Sequence, residues 1–343
     1  MVVVYNLFYQ IHSEGEKIMK KIIALLLVLI MAMGLVACGN AGGENAGGAS
    51  KMTMGTGGPS GTYYAYGGVL SKYMTDKTGI AVNAVSTDGS KANIVGIDYG
   101  DYQLATVQSD VMAYAWAGER SFADEGKIQS FRVIGGLYAE AVQLVTMDPN
   151  IKSVADLKGK TVSIGAPGSG VYFNAVDVLA AAGLTEQDIK AQYQSFGDSA
   201  DALKDGKIDA AFIVAGAPTP AITELATSAN AYLVPIDGEI AEKLMKDCPF
   251  YTSYEIPAGT YKGQDAAVKT VTVKATLIVS ADATEDDVYK LTAAIFDNID
   301  NINKEHAKGA ELSLQNATDG MTAPFHAGAA KYFKEKGIEV ETQ

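Results

Sequence analysis

Residues 52–66 read MTMGTGGPSGTYYAY, and the pattern returns at residues 161–175 as TVSIGAPGSGVYFNA. In both, a short apolar run ends in a loop of glycine, proline and serine, and an aromatic-rich helix start follows. The cores align as Ser60-Gly61-Thr62-Tyr63-Tyr64 against Ser169-Gly170-Val171-Tyr172-Phe173. One such loop alone also serves as a plain tight turn packing a helix on a sheet. Two of the same design predict two related α/β lobes, each aiming a helix N-terminus at a common cleft. A helix N-terminus offers unpaired backbone N–H groups and partial positive charge, which suits an anionic ligand.

Working outward to the start of the chain, Met19-Lys20-Lys21 is basic, residues 22–33 are apolar, and Leu35-Val36-Ala37-Cys38 places small residues before a cysteine. This resembles a bacterial lipoprotein export signal, cleaved before Cys38, whose thiol takes a diacylglycerol. The apolar run is shorter than the ~20 residues a spanning helix needs. Residues 1–37 therefore read as a signal peptide with its true start at Met19, and residues 38–51, rich in Gly, Ala and Asn, as a flexible lipidated tether. The expected location is extracytoplasmic, anchored to the cell membrane.

The remaining length fits two lobes better than one core. The whole chain carries −13, and the part from Cys38 onward −14, which excludes a basic groove for nucleic acid. With Cys38 lipidated, Cys248 stands alone, so no internal disulfide or cysteine metal cluster is expected. His306 and His326 lie near the C-terminus, away from any serine or cysteine motif, and read as surface or cap residues. No catalytic residue, metal site or cofactor is expected. Arg120 and Arg132 are the only arginines, and both read as surface charges, so a carboxylate site here lacks a bidentate arginine clamp.

Along the chain, Tyr66, Leu70, Tyr73 and Met74 recur at helical spacing and read as core, whereas Tyr63 and Tyr64 sit at the helix opening toward the cleft. The turn Ser86-Thr87-Asp88-Gly89-Ser90 follows a strand over 80–85 and precedes a helix over 91–99 that carries Asn93. A strand over 103–107 ends at Gln108, where open α/β sheets present ligand-binding groups; Asp110 reads either as a helix cap or as a site residue. The long run over 132–147, RVIGGLYAEAVQLVTM, suits a segment crossing between lobes. Its Glu140 reads as a hinge hydrogen-bonder or as a partner for a ligand amine. Asn174 falls in the first turn after the second loop, and the loop at Gly216 lies beside it if their strands are neighbours. Residues 248–264 read as turn-rich, and 270–280 as the return crossing.

Taken in order, GTGGPSGTYYAYG, STDGSKANI, QSDVMAYA, LYAEAVQLV, GAPGSGVYFNA, FIVAGAPTPAI, IPAGTYKGQ and HAGAAKYFKEKG resemble the TAXI-type solute receptors of TRAP transporters. The resemblance implies a two-lobed α/β chain of the periplasmic-binding-protein type II fold with a ligand cleft between the lobes, and no catalysis. Residues 52–141 with 272–343 would form one lobe and 142–271 the other. The implied partners are a small organic acid or amino acid such as glutamate, a TRAP-type membrane permease, and the membrane through the lipid. Implied contacts are Gly57, Ser60, Gly61, Thr62, Tyr63 and Tyr64 on the first loop, with Ser86, Gly89, Asn93, Gln108 and Asp110 beyond it. On the second side they are Gly168, Ser169, Gly170, Tyr172 and Asn174, to which the residue reading adds Gly216 and Glu140. Val171 departs from the Thr common in related receptors. The alternatives are an enzyme with a Rossmann-like loop, against which GTGGPSG departs from G-x-G-x-x-G, and a ligand-binding subunit of a membrane sensor.

Overall fold

The computed structural model describes residues 51–342, so the signal and nearly all of the tether, Cys38 included, lie outside the described residues. In chain order come β1 (Lys51–Gly55), α1 (Thr62–Thr78), β2 (Ala81–Val85), α2 (Ser90–Asp98), β3 (Leu104–Gln108), α3 (Ser109–Ala117) and β4 (Phe131–Thr146). Next are β5 (Thr161–Ser163), α4 (Val171–Ala181), β6 (Lys190–Gln192), α5 (Phe196–Lys204), β7 (Ala210–Ala215), α6 (Pro220–Ser228), β8 (Tyr232–Val234) and α7 (Gly238–Asp247). The chain closes with β9 (Thr252–Ile256), β10 (Val268–Ser280), α8 (Glu285–Phe296), α9 (Ile299–Glu305), α10 (Leu314–Thr318) and α11 (Ala327–Glu335).

The strands form one sheet in the order β2-β1-β3-β10-β4-β7-β5-β6, with β8 also on β4 and β9 also on β10. Strands β1, β2 and β3 run parallel at one end, and β5, β6 and β7 at the other. Between them β4 and β10 run antiparallel, from Phe131 opposite Ser280 to Ala141 opposite Thr272. These are the two long runs expected to cross. Their register slips near Gly135 and Gly136, where the strand must accept a close neighbour: a Cβ on Gly136 would lie 2.8 Å from the Asn316 carbonyl oxygen.

Apolar side chains gather according to the same division. One cluster draws on residues 52–138 and 275–333, with Tyr66, Leu70 and Met74 fully buried as their spacing predicts. Two others draw on residues 141–273. The expected α/β class is the one the chain adopts. The turn-rich reading of 248–264 needs correction, because Thr252–Ile256 forms β9 against β10. That strand's alternation is mostly exposed on a sheet edge, which hides its period-two signal. Among the described residues no helix is long and apolar enough to cross a membrane.

Candidate functional site

A cavity of about 550 Å³ lies between the loops that leave the first parallel strands and those that leave the second. Its first side is made by residues 57–63, 86–90, Gln108 and Glu140, its second by Ala166, residues 169–171, 194–197, Val214 and Ala215. Four helices open onto it. Gly61, Gly89 and Gly170 are the N-caps of α1, α2 and α4, and none of them supplies a side-chain cap. At α5 the cap is Ser195, whose Oγ accepts from the Asp198 amide. Glycine caps let the loops approach closely and leave first-turn N–H groups without a side-chain acceptor. The cavity thus receives several positive helix ends, while among the described residues no Lys, Arg or His lines it.

Hydrogen bonds close the two sides on each other. Thr62 Oγ1 donates to the Gly216 carbonyl at 2.9 Å, and the Ala92 amide to the Gly168 carbonyl at 3.2 Å. The Ala221 amide donates to the Ser60 carbonyl at 3.1 Å. Packing is equally close at Gly61, where a Cβ would lie 3.3 Å from the Phe196 ring, and at Gly170, where one would lie 1.5 Å from Gln108 Oε1.

Of the residues expected from sequence, Gly57, Ser60, Gly61, Thr62, Tyr63, Ser86, Gly89, Gln108, Glu140, Ser169 and Gly170 line the cavity. Seven do not. Tyr64 is one helix position beyond Tyr63 and turns to solvent, 40% exposed. Asn93 is buried behind the loops, donating to the Thr56 and Thr106 carbonyls and accepting from Thr87 Oγ1. Gly168 and Gly216 contribute the closing carbonyls just described, and Tyr172 points away to donate to Glu186 at 3.0 Å. Asp110 and Asn174 lie one shell behind Gln108: Gln108 Nε2 donates to Asn174 Oδ1 at 2.9 Å, and Asn174 Nδ2 to Asp110 Oδ2 at 2.8 Å. Ser169 Oγ donates to the Ala166 carbonyl at 2.7 Å, which leaves its oxygen as an acceptor.

Two carboxyls stand out electrostatically. Glu140 is 2% exposed and accepts from the Tyr63 hydroxyl. Burial holds its carboxyl well above the usual range, against the pull of the Tyr63 bond and of Lys308, which is itself paired with Glu311 at 2.5 Å. Burial likewise pushes Asp110 up to about 7, although the Val111 amide and Asn174 favour its charged form.

Arg120 departs from its surface reading. Its guanidinium sits 5.0 Å from the Tyr114 ring and donates to Asp177 on α4, tying the first side of the molecule to the second. Tyr251 joins this network, accepting from Asn174 at 2.7 Å and donating to Asp177 at 3.2 Å. Both contacts span long stretches of sequence, and no local pattern announces them. The segment at 194–197 was also missed, although Ser195 followed by Asp198 is a legible helix start. His306 and His326 cap helices, each accepting from an amide two residues on, and neither lines the cavity.

Residues 54–337 match the model of the NMT1-like family. Among solved structures, one from Bordetella bronchiseptica RB50 superposes with a TM-score of 0.50 at 18% identity, covering 83% of this chain and 89% of that one. The alkanesulfonate-binding protein SsuA from Xanthomonas axonopodis pv. citri, bound to MOPS, gives 0.47 at 18% identity over 85% and 92%. A putative L-cystine ABC transporter protein from Listeria monocytogenes gives 0.48 at 18% identity over 77% and 98%. At these identities the likeness is one of fold.

Proposed function

The chain belongs to the NMT1-like family, and from that premise we propose that it is an extracytoplasmic solute-binding receptor. It captures one small organic acid or amino acid and hands it to a membrane permease, without catalysis. Within that class we assign it to the TAXI-type receptors of TRAP transporters, on the ordered motifs quoted above, with glutamate-like molecules as the ligand class. We take residues 52–141 with 272–343 as one lobe and 142–271 as the other. A lipid on Cys38 would hold the receptor at the membrane.

The observation that carries this reading is the cavity of about 550 Å³ between two sets of loops bonded to each other, lined by helix starts and, among the described residues, by no cationic side chain. Such a volume is in the range of small-molecule sites. Hydrogen bonds to a charged group contribute about 1.5–3 kcal/mol each, and a helix N-terminus ~0.3–1 more. Four or five such contacts, less association and ordering costs, reach the roughly −8 kcal/mol of micromolar binding. Backbone donors in the Ser60-Gly61 and Ser169-Gly170 loops would hold the carboxylate.

Small-angle scattering with and without a saturating acid tests the reading. A receptor of this kind contracts as its lobes close on one ligand per chain. An unchanged radius at saturation would contradict it.

A further inference from the structure

This inference deepens the solute-binding reading and rests on it. Glu140 lines the cavity and is 2% exposed. Its Oε1 accepts from the Tyr63 hydroxyl. Its Oε2 has no hydrogen-bond partner among the described residues, yet it is not sealed off as the unpartnered Gln108 Oε1 and Asp110 Oδ1 are. The small surface that Glu140 keeps is therefore on the cavity side. A polar oxygen open at the wall of such a cavity is within reach of a ligand.

The surroundings decide which form of that carboxyl meets an anion. Among the described residues no cationic side chain lines the cavity, so positive charge there comes from the helix starts. Behind Glu140, Lys308 is buried and committed to Glu311 at 2.5 Å, and Glu311 also accepts from the Ala139 amide at 2.7 Å. Asp110 of α3 adds repulsion when ionised, and Tyr138, two positions back on β4, is a buried phenol. Opposite on β10 stands Val273, while Lys274 turns its ammonium to the Asn316 and Asp319 carbonyls. Asp88, the other acidic residue of the cavity lining, is exposed. An acid bound beside ionised Glu140 would meet a like charge in a buried place, with no cation between the two.

Tyr63 fixes where a proton on this carboxyl sits. Burial and the Glu140 charge hold its phenol well above the ordinary value, so it keeps its own proton and donates to Oε1. The free position is Oε2, the oxygen toward the cavity. We propose that Glu140 is a binding residue that meets the ligand in its neutral form, donating the proton on Oε2 to an oxygen of the bound acid. Where Glu140 is ionised before binding, one proton moves from solvent onto Oε2 as the acid enters. The receptor thereby gains a donor where its lining supplies no cation.

Burial by the protein itself holds the Glu140 carboxyl well above the usual range, and a bound anion raises it further. The complex therefore holds more protons than the free receptor at any pH between those two values. Affinity for the acid falls as pH rises through that window. An amide in place of the carboxyl would present an N–H to the cavity at every pH, because the Tyr63 hydroxyl takes its oxygen.

The test is isothermal titration of acetate, lactate, benzoate, succinate and glutamate between about pH 6.5 and about pH 9, where their carboxylates stay ionised. The tightest of them should lose affinity as pH rises, approaching about tenfold per pH unit. Its titration in phosphate and in Tris, whose ionisation heats differ, should show uptake of up to one proton per ligand. Glu140→Gln should bind it within about threefold of wild type at about pH 6.5, and that affinity should stay level as pH rises. Glu140→Ala should bind it about tenfold more weakly at about pH 6.5, with the melting temperature reporting that the fold is kept. A wild-type affinity that stays level to about pH 9, with no proton uptake, would overturn the inference and leave the solute-binding reading standing. So would a folded Glu140→Gln protein that binds about tenfold more weakly at about pH 6.5, or a Glu140→Ala protein that binds as tightly as Glu140→Gln. Failure of every acid in the panel to bind would overturn both readings.

Discussion

Gly170→Ala is the smallest change that should stop the two sides of the cavity from closing. The added methyl would sit 1.5 Å from Gln108 Oε1, 2.5 Å from its Cδ and 3.0 Å from Val111 Cγ2. Backbone strain plays no part, because Gly170 has φ −74° and ψ −21°, which alanine adopts freely. Only two escapes exist. Gln108 can withdraw, which loses its bond to Asn174 and leaves a buried acceptor unpaired; together these cost about 2–4 kcal/mol. Alternatively the sides can part, which loses the Thr62–Gly216, Ala92–Gly168 and Ala221–Ser60 bonds, about 1.5–4.5 kcal/mol in all. The first route weakens ligand binding roughly 30- to 700-fold and the second roughly 10- to 2,000-fold. The apolar clusters are left in place, so the unliganded protein should melt within a few degrees of wild type. The control is Gly68→Ala, where a Cβ meets nothing within 4 Å and binding should not change. Titration calorimetry with the acid that wild type binds most tightly measures the difference. A Gly170→Ala protein that binds within about threefold of wild type would refute the reasoning.

Other expectations follow from the same contacts. Arg120→Ala should weaken ligand binding by about 1–2 kcal/mol, because it unties α4 and leaves Asp177 buried without its cation, a cost tempered by the 37% exposure of the arginine side chain. Arg132→Ala, by contrast, removes only stacking on Trp116 and two bonds to nearby carbonyls, and calorimetry should show an unchanged affinity. The pH profile of stability has a definite sign. Asp110, Asp177 and Glu140 are all raised in the folded state, which therefore holds more protons than the unfolded chain; for Asp110 that window runs from about pH 4 to about pH 7. Stability should rise on acidification from about pH 8 to about pH 5, where the depressed Asp148, Asp156 and Asp188 are still ionised. Urea melts across that range check this, and Asp110→Asn should flatten the slope. Added salt should leave ligand affinity within about threefold despite the net −13, since the donors are backbone groups in a closed cavity; titration at low and high salt measures it.

The parts of this protein that sequence made legible are those whose signals are local. Glycine, proline and serine at strand ends marked both loops, because helix starts and tight turns draw on a small set of residues. Run length marked β4 and β10, since few segments other than crossing strands stay apolar that long. What stayed hidden depends on contacts across the chain. Tyr63 and Tyr64 are equivalent in the string, yet a step along α1 sends one to Glu140 and the other to solvent. Asp110 and Asn174 read with the loops they follow, but packing places them behind Gln108. Arg120 looked like an exposed charge because Asp177, its partner, lies 57 positions away. A further local signal lies in α7, where Ile240, Ala241, Leu244 and Met245 keep helical spacing.

Native mass spectrometry of protein purified without denaturation puts the central claim, an acid enclosed between the 57–63 and 169–171 loops, to its most direct test. The wild type should carry a single small molecule per chain, and that molecule, once released, should prove to be a carboxylic acid. Gly170→Ala should lose most of it. A released molecule without a carboxylate, or one retained in full by Gly170→Ala, would contradict the claim.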